Sequence, residues 1–123
     1  IYSKKKIFCL DGDGSVLMHM GAMRNFAFYG KKNITHIIFN NNAHESVGGQ
    51  TTTADGINFK LLGKSLGYKN FLQIKGKKNI LSKVKKIFKL KGPNLVEVII
   101  RMGVTKNLGR PSNFFLIKKN FII

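Results

Sequence analysis

A chain of 123 residues has room for one domain with its own core and not for several. It holds no apolar run of the roughly 18 residues that a membrane-spanning helix needs, no signal-peptide order at its start, and a lone Cys9 in place of a disulfide framework, so the expected setting is cytoplasmic. The formal charge of +17 invites a nucleic-acid reading, but the excess is lysine rather than arginine, travels with abundant Asn, Ile and Phe as A/T-rich coding would produce, and comes with no nucleic-acid-binding module.

Residues 7–10 form an unbroken apolar run, the pattern of a strand covered on both faces, with Cys9 as a buried thiol. The run stops at Asp11-Gly12-Asp13-Gly14. Residues 16–28 are apolar nearly all round and predict a helix packed against a sheet, ended by Gly30. Residues 35–39 predict a second strand, and residues 40–53 a polar loop in which no regular element is forced. Ile57, Leu61, Leu62 and Leu66 stand at helical spacing and predict a helix over 56–67, closed by Gly67. A third strand is predicted at 70–74. Ile80, Leu81, Val84, Ile87 and Phe88 then make one apolar stripe, with Lys83, Lys85, Lys86 and Lys89 pointing away as a solvated face. Gly92-Pro93 breaks that helix, and residues 95–100 predict a fourth strand. This alternation predicts an α/β fold, a parallel sheet with helices on both faces, with ligands at the carboxyl ends of the strands.

Two segments fall at such ends. Gly12-Asp13-Gly14-Ser15 follows the first strand, and Asn40-Asn41-Asn42-Ala43-His44-Glu45 follows the second. The twenty-five residues between Gly14 and Asn40 suffice for one helix and one returning strand, so the two segments face one site. The carboxylate of Asp13 and the amide oxygen of Asn41 are hard ligands suited to magnesium, while glycines let backbone N–H groups approach a phosphate. An ordinary turn is the competing reading of each segment alone. His19, His36 and His44 lack zinc-ligand spacing; His19 and His36 are expected as core or strand residues. His44, beside Glu45 in the loop, is a candidate to bind a substrate anion or move a proton, with plain loop surface as its alternative. Arg110 is a candidate for an anionic substrate group or an ordinary exposed arginine, and Glu97 reads as a paired or edge residue.

Gly-Asp-Gly followed at this spacing by Asn-Asn resembles the cofactor signature of thiamine-diphosphate enzymes. The surrounding words GDGSVLMHMGAM and NNNAHESVGGQ look like one branch of them, the phosphonopyruvate decarboxylases, with a weaker echo in residues 107–111. Asn42 stands where that family usually has Gly, Thr52 where it usually has Pro, and the tail after Ser112 departs from the family's ending. The resemblance implies a thiamine-diphosphate-binding fold, here incomplete, in which Asp13, Asn41 and the backbone carbonyl of Ala43 hold Mg2+ on the cofactor's diphosphate. It implies contacts to the cofactor from Gly12, Asp13, Gly14, Ser15, Asn41, Ala43 and His44, and His44 and Glu45 as catalytic candidates. The expected activity is decarboxylation of phosphonopyruvate, with sulfopyruvate, whose enzyme can occur as two separate chains, as the other substrate. A non-catalytic basic binding domain is the reading from another class. The family also uses a glutamate from a pyrimidine-binding domain, often of a neighbouring subunit. Residues 1–123 read as a single domain without that part, the C-terminal portion of a larger enzyme that works as a homo- or hetero-oligomer.

Overall fold

The computed structural model describes residues 5–30, 32–103, 107 and 112–121. Four β-branched and aromatic runs become its strands: β1 at Ile7–Gly12, β2 at Ile34–Asn40, β5 at Asn70–Lys75 and β6 at Asn94–Ile99. They form one parallel sheet in the order β1-β2-β6-β5, as the alternation predicted. The long loop is more regular than expected: β3 at Ala43–His44 pairs antiparallel with β4 at Gln50–Thr51 across a 3-10 turn at Glu45–Val47.

Helices cover both faces. Neighbouring residues on an inner strand point to opposite faces, so Ile38 and Leu95 enter one core while Ile37 and Val96 enter the other. The first core is closed by α1 (Asp13–Met18), α2 (Met20–Tyr29) and α3 (Phe59–Leu66) through Val16, Met23, Ala27 and Phe59. The second is closed by α4 (Ile80–Lys89) through Ile87. Ile38, Leu95 and Val96 are fully enclosed, each contributing about 1.5–3 kcal/mol, a large part of a typical net stability.

Several local expectations are corrected. Strand β1 lies at the sheet edge, so Cys9 is half-buried and Leu10 is 63% exposed, where full cover was expected. The first helix is two: His19 leaves helical geometry (φ −128°, ψ 40°) between α1 and α2, and Gly21, a weak helix former, follows in the new first turn. His19 is therefore exposed and no core residue. A 3-10 turn at Ala54–Gly56 precedes α3, whose start is fixed by Asn58 accepting from the Leu61 N–H at 3.1 Å. Its inward face carries Phe59, Leu62, Gly63 and Leu66, and Leu61 points out. On α4 Lys85, Lys86 and Lys89 are exposed as expected, but so are Leu81 and Phe88, because a single helix covers that face. An apolar hollow of about 350 Å³ remains between Phe8, Phe39, Val84 and Phe88. The tail adds α5 at Phe114–Phe121, which no sequence signal announced; its side chains are exposed.

Polar side chains pin the register at both ends of the sheet. Asn94 donates to Thr35 Oγ1 (2.9 Å) and accepts from Asn70 (2.7 Å), joining β2, β6 and β5 at their starts. Near their ends, buried Glu97 accepts from Asn40 (2.9 Å) and Gln73 (2.8 Å), so it is a paired residue of an inner strand, not an edge one. A one-residue slip would strand the buried members, Thr35, Asn40, Asn94 and Glu97, without these partners, at a cost of about 1–3 kcal/mol each.

A third buried polar group lies under α2. His36 is 4% exposed, with Nδ1 2.9 Å from the Tyr68 hydroxyl and Nε2 3.4 Å from Asp11 Oδ2 but without hydrogen-bond geometry there. Desolvation lowers the His36 pKa below its ordinary value of 6.5, against the opposing pull of Asp11. The unfolded chain then takes up the proton first as pH falls. Stability is fully present above the unfolded pKa and is lost as pH drops through about 6.5. Thermal melts of the parent should thus weaken between about pH 7 and 5 by more than those of His36→Gln; parallel pH profiles for the two would contradict the assignment.

Candidate functional site

The site is built where β1 and β2 end side by side. Gly12 is the register partner of Phe39, so Asp13 and Asn40 leave adjacent strands at the same edge. Asp13 opens α1 and is 2% exposed. A side chain at Gly12 would meet nothing within 4 Å, which leaves that backbone open to an approaching group. Helix α1 has only six residues and no side-chain cap, so its partial charge is a smaller contribution than the predicted long helix implied.

Beyond β2 the chain turns through two nested hydrogen bonds. Asn40 Oδ1 accepts from the Asn42 N–H and Asn41 Oδ1 accepts from the Ala43 N–H, each at 3.1 Å. Asn42 sits at φ 56°, the left-handed region, which gives a physical reason for glycine at this position in the resembled family. Glu45 fixes the other end of the Asn41 amide: Nδ2 donates to Glu45 Oε2 at 2.7 Å. Glu45 Oε1 accepts from the Gly103 N–H, which ties the loop to the segment after β6.

The β3–β4 ribbon then folds this loop back over α1. The ring of His44 rests on Gly14 so closely that a Cβ there would lie 2.5 Å from Cε1 and 2.7 Å from Nδ1. Thr52 N–H donates to the Asn42 carbonyl at 3.2 Å, and the Thr52 hydroxyl donates to Asp13 Oδ2 in a short hydrogen bond. The sequence-predicted residues Gly12, Asp13, Gly14, Asn41, Ala43, His44 and Glu45 are thus gathered at one corner. Ser15 is exposed beside them on α1. Arg110 and the rest of the 108–111 echo lie outside the described residues. In the sequence Thr52 stands out only as a departure from the resembled family, which usually has Pro there; nothing marks its hydroxyl as part of the site.

The donor set can be tested against a hard cation. Among the described residues no three His, Cys, Asp or Glu side chains converge as metal ligands, which argues against a zinc-type centre. Asp13 Oδ2 is taken by Thr52, while Oδ1 has no hydrogen-bond donor among the described residues. The Asn41 oxygen accepts one bond and keeps a second lone pair. One carboxylate oxygen, one amide oxygen and a backbone carbonyl fit a magnesium ion that completes its shell with phosphate oxygens and water. A cleft of about 630 Å³ opens alongside, bounded by Asn40, Asn42, Asp55, Lys60, Lys75 and Glu97. It does not contain Asp13, so the chemistry is placed by the donors and not by this cleft.

This parallel sheet, with oxygen donors gathered where β1 and β2 end, is an α/β domain, and its sequence identifies the family. Residues 1–98 match the family described as thiamine pyrophosphate enzyme, C-terminal TPP binding domain, and the chain belongs to that family. Among curated relatives it is 28% identical over 111 residues to a phosphonopyruvate decarboxylase of Streptomyces viridochromogenes, covering 90% of this chain and 28% of that protein. It is 29% identical over 104 residues to a sulfopyruvate decarboxylase of Methanosarcina acetivorans, covering 84% of this chain and 27% of that protein. With a sulfopyruvate decarboxylase subunit beta of Methanocaldococcus jannaschii it shares 35% identity over 63 residues, 50% of this chain and 34% of that one. The chain therefore spans about a third or less of the length of these relatives. Among the described residues no helix is long and apolar enough to cross a membrane.

Proposed function

We propose that this chain is the diphosphate- and metal-binding part of a cytoplasmic, thiamine-diphosphate-dependent decarboxylase that converts phosphonopyruvate to phosphonoacetaldehyde and carbon dioxide. The observation that carries this reading is the convergence of Asp13, Asn41 and His44 from two strand ends, held by Thr52 and Glu45, in a chain of this family. Asp13 Oδ1, Asn41 Oδ1 and the Ala43 carbonyl would hold Mg2+, and the backbone around Gly12, Gly14 and Ser15 would contact the diphosphate. Thiamine diphosphate, when bound, supplies the nucleophilic carbon and the electron sink that lets the carboxylate leave as carbon dioxide. His44 turns its Cε1–Nδ1 edge to Gly14, which leaves Nε2 to meet the substrate anion or return a proton. Glu45 would serve the reaction by fixing the Asn41 amide nitrogen, which would leave the amide oxygen for the metal.

The match to phosphonopyruvate decarboxylase over 90% of the chain supports that substrate. A second reading, a subunit of a two-chain sulfopyruvate decarboxylase, draws on the higher local identity to a subunit beta. The deciding measurement is carbon dioxide release from each acid by the assembled enzyme with thiamine diphosphate and magnesium. The expected kcat/KM is at least about tenfold higher for phosphonopyruvate, some 1.4 kcal/mol in the transition state. The reverse order would transfer the substrate to the second reading. Absence of cofactor binding would leave a non-catalytic basic domain, with the exposed lysines of α4 as its working surface.

A further inference from the structure

We propose that Thr52 is a positioning residue for Asp13, holding Oδ2 so that Oδ1 is presented to the cation; this rests on the metal-site reading above. Thr52 is 4% exposed and reaches both halves of the site. Its hydroxyl donates to Asp13 Oδ2 from thirty-nine residues away, and its N–H donates to the Asn42 carbonyl at 3.2 Å. The Ala54 N–H lies 3.4 Å from Thr52 Oγ1 on the accepting side, which directs the hydroxyl hydrogen to the carboxylate.

The physical need for such a donor is clear. A carboxylate buried without a partner is strongly penalised, and Asp13 has no other side-chain donor among the described residues. Asp13 is flanked by glycines, so local sequence does little to fix its rotamer. A single hydroxyl therefore sets both the orientation of the carboxylate and its distance from the Asn41 loop. The sequence-predicted ligands specify what binds the metal; Thr52 specifies where those ligands stand.

Mn2+ is the probe, titrated by electron paramagnetic resonance in the presence of thiamine diphosphate, on the full chain and on Thr52→Val, Thr52→Ser, Thr52→Ala and Asp13→Ala. Thr52→Val keeps the shape and removes the hydroxyl, and is expected to weaken Mn2+ binding about 10–100-fold. Thr52→Ser restores the hydroxyl and most of the affinity. Thr52→Ala is read the same way should the valine variant fail to fold, as thermal melts will show. Loss with Asp13→Ala but parent-like binding by Thr52→Val and Thr52→Ala would overturn the role of Thr52 alone. Equal losses in the serine and valine variants would also overturn it, since packing and not the hydroxyl would then matter. A parent chain that binds no Mn2+, or an Asp13→Ala variant that binds as the parent does, would overturn the site reading and this proposal with it.

Discussion

Asp13→Ala is expected to abolish magnesium-dependent binding of thiamine diphosphate, with an affinity loss of at least about 100-fold. The size follows from what the side chain does. Magnesium demands oxygen ligands in near-octahedral order, and the proposed ligand set is a single carboxylate beside an amide and a carbonyl, so the only formal negative charge among those ligands disappears. Asp13→Asn separates charge from shape, because the amide oxygen can still accept from Thr52; it should retain the fold and lose most of the binding. Lys85→Ala, on the exposed face of α4, serves as the control and should bind as the parent does. Isothermal titration with and without magnesium provides the measurement. Equal affinities for the parent and Asp13→Ala would remove the metal from this corner.

The fold was legible where burial is decided by a continuous pattern. Strands β2 and β6 read plainly from their Ile37-Ile38-Phe39 and Leu95-Val96 stretches because they lie inside the sheet, and their parallel pairing followed from the helices between them. Strand β1 carries the same kind of run but sits at the edge, and position in a sheet is a tertiary property that its own residues do not encode. The break at His19 and the late start of α3 depend on one or two residues each, below the resolution of an apolar stripe. Helix α5 contains Phe114, Phe115 and Phe121 with no polar face to set a period, and so went unread.

The site divides in the same way. Asp13, Asn41 and His44 were visible because their residue types and spacing carry chemistry. The contacts that support them were not: Thr52 to Asp13 and Glu45 to the Gly103 N–H join residues far apart in sequence, brought together where the β3–β4 ribbon folds back. Glu45 is a catalytic candidate by the family resemblance, and the structure gives its carboxylate two internal donors, Asn41 and Gly103. Glu97 shows the converse, a carboxylate in an apolar strand whose two amide partners come from β2 and β5.

The chain alone is expected to release no carbon dioxide from phosphonopyruvate or sulfopyruvate, and to gain turnover only with a complementing pyrimidine-binding domain. The corner described here is proposed to bind metal and diphosphate, and neither Glu45 nor Glu97 is placed to act as the activating glutamate that family resemblance implies. Glu45 holds Asn41 and the Gly103 N–H, and Glu97 is 5% exposed between Asn40 and Gln73. Surface chemistry points the same way. Beside α4, Leu10 and Phe88 are 63% and 55% exposed around an apolar hollow, a liability that partner surfaces commonly remove. The purified chain should therefore self-associate on its own and do so less when the complementing domain is added, as sedimentation velocity would show. Binding of thiamine diphosphate without turnover by the lone chain, then turnover after addition of the partner, is the expected pair of results. Full activity from the lone chain would instead mean that a group within these 123 residues activates the cofactor.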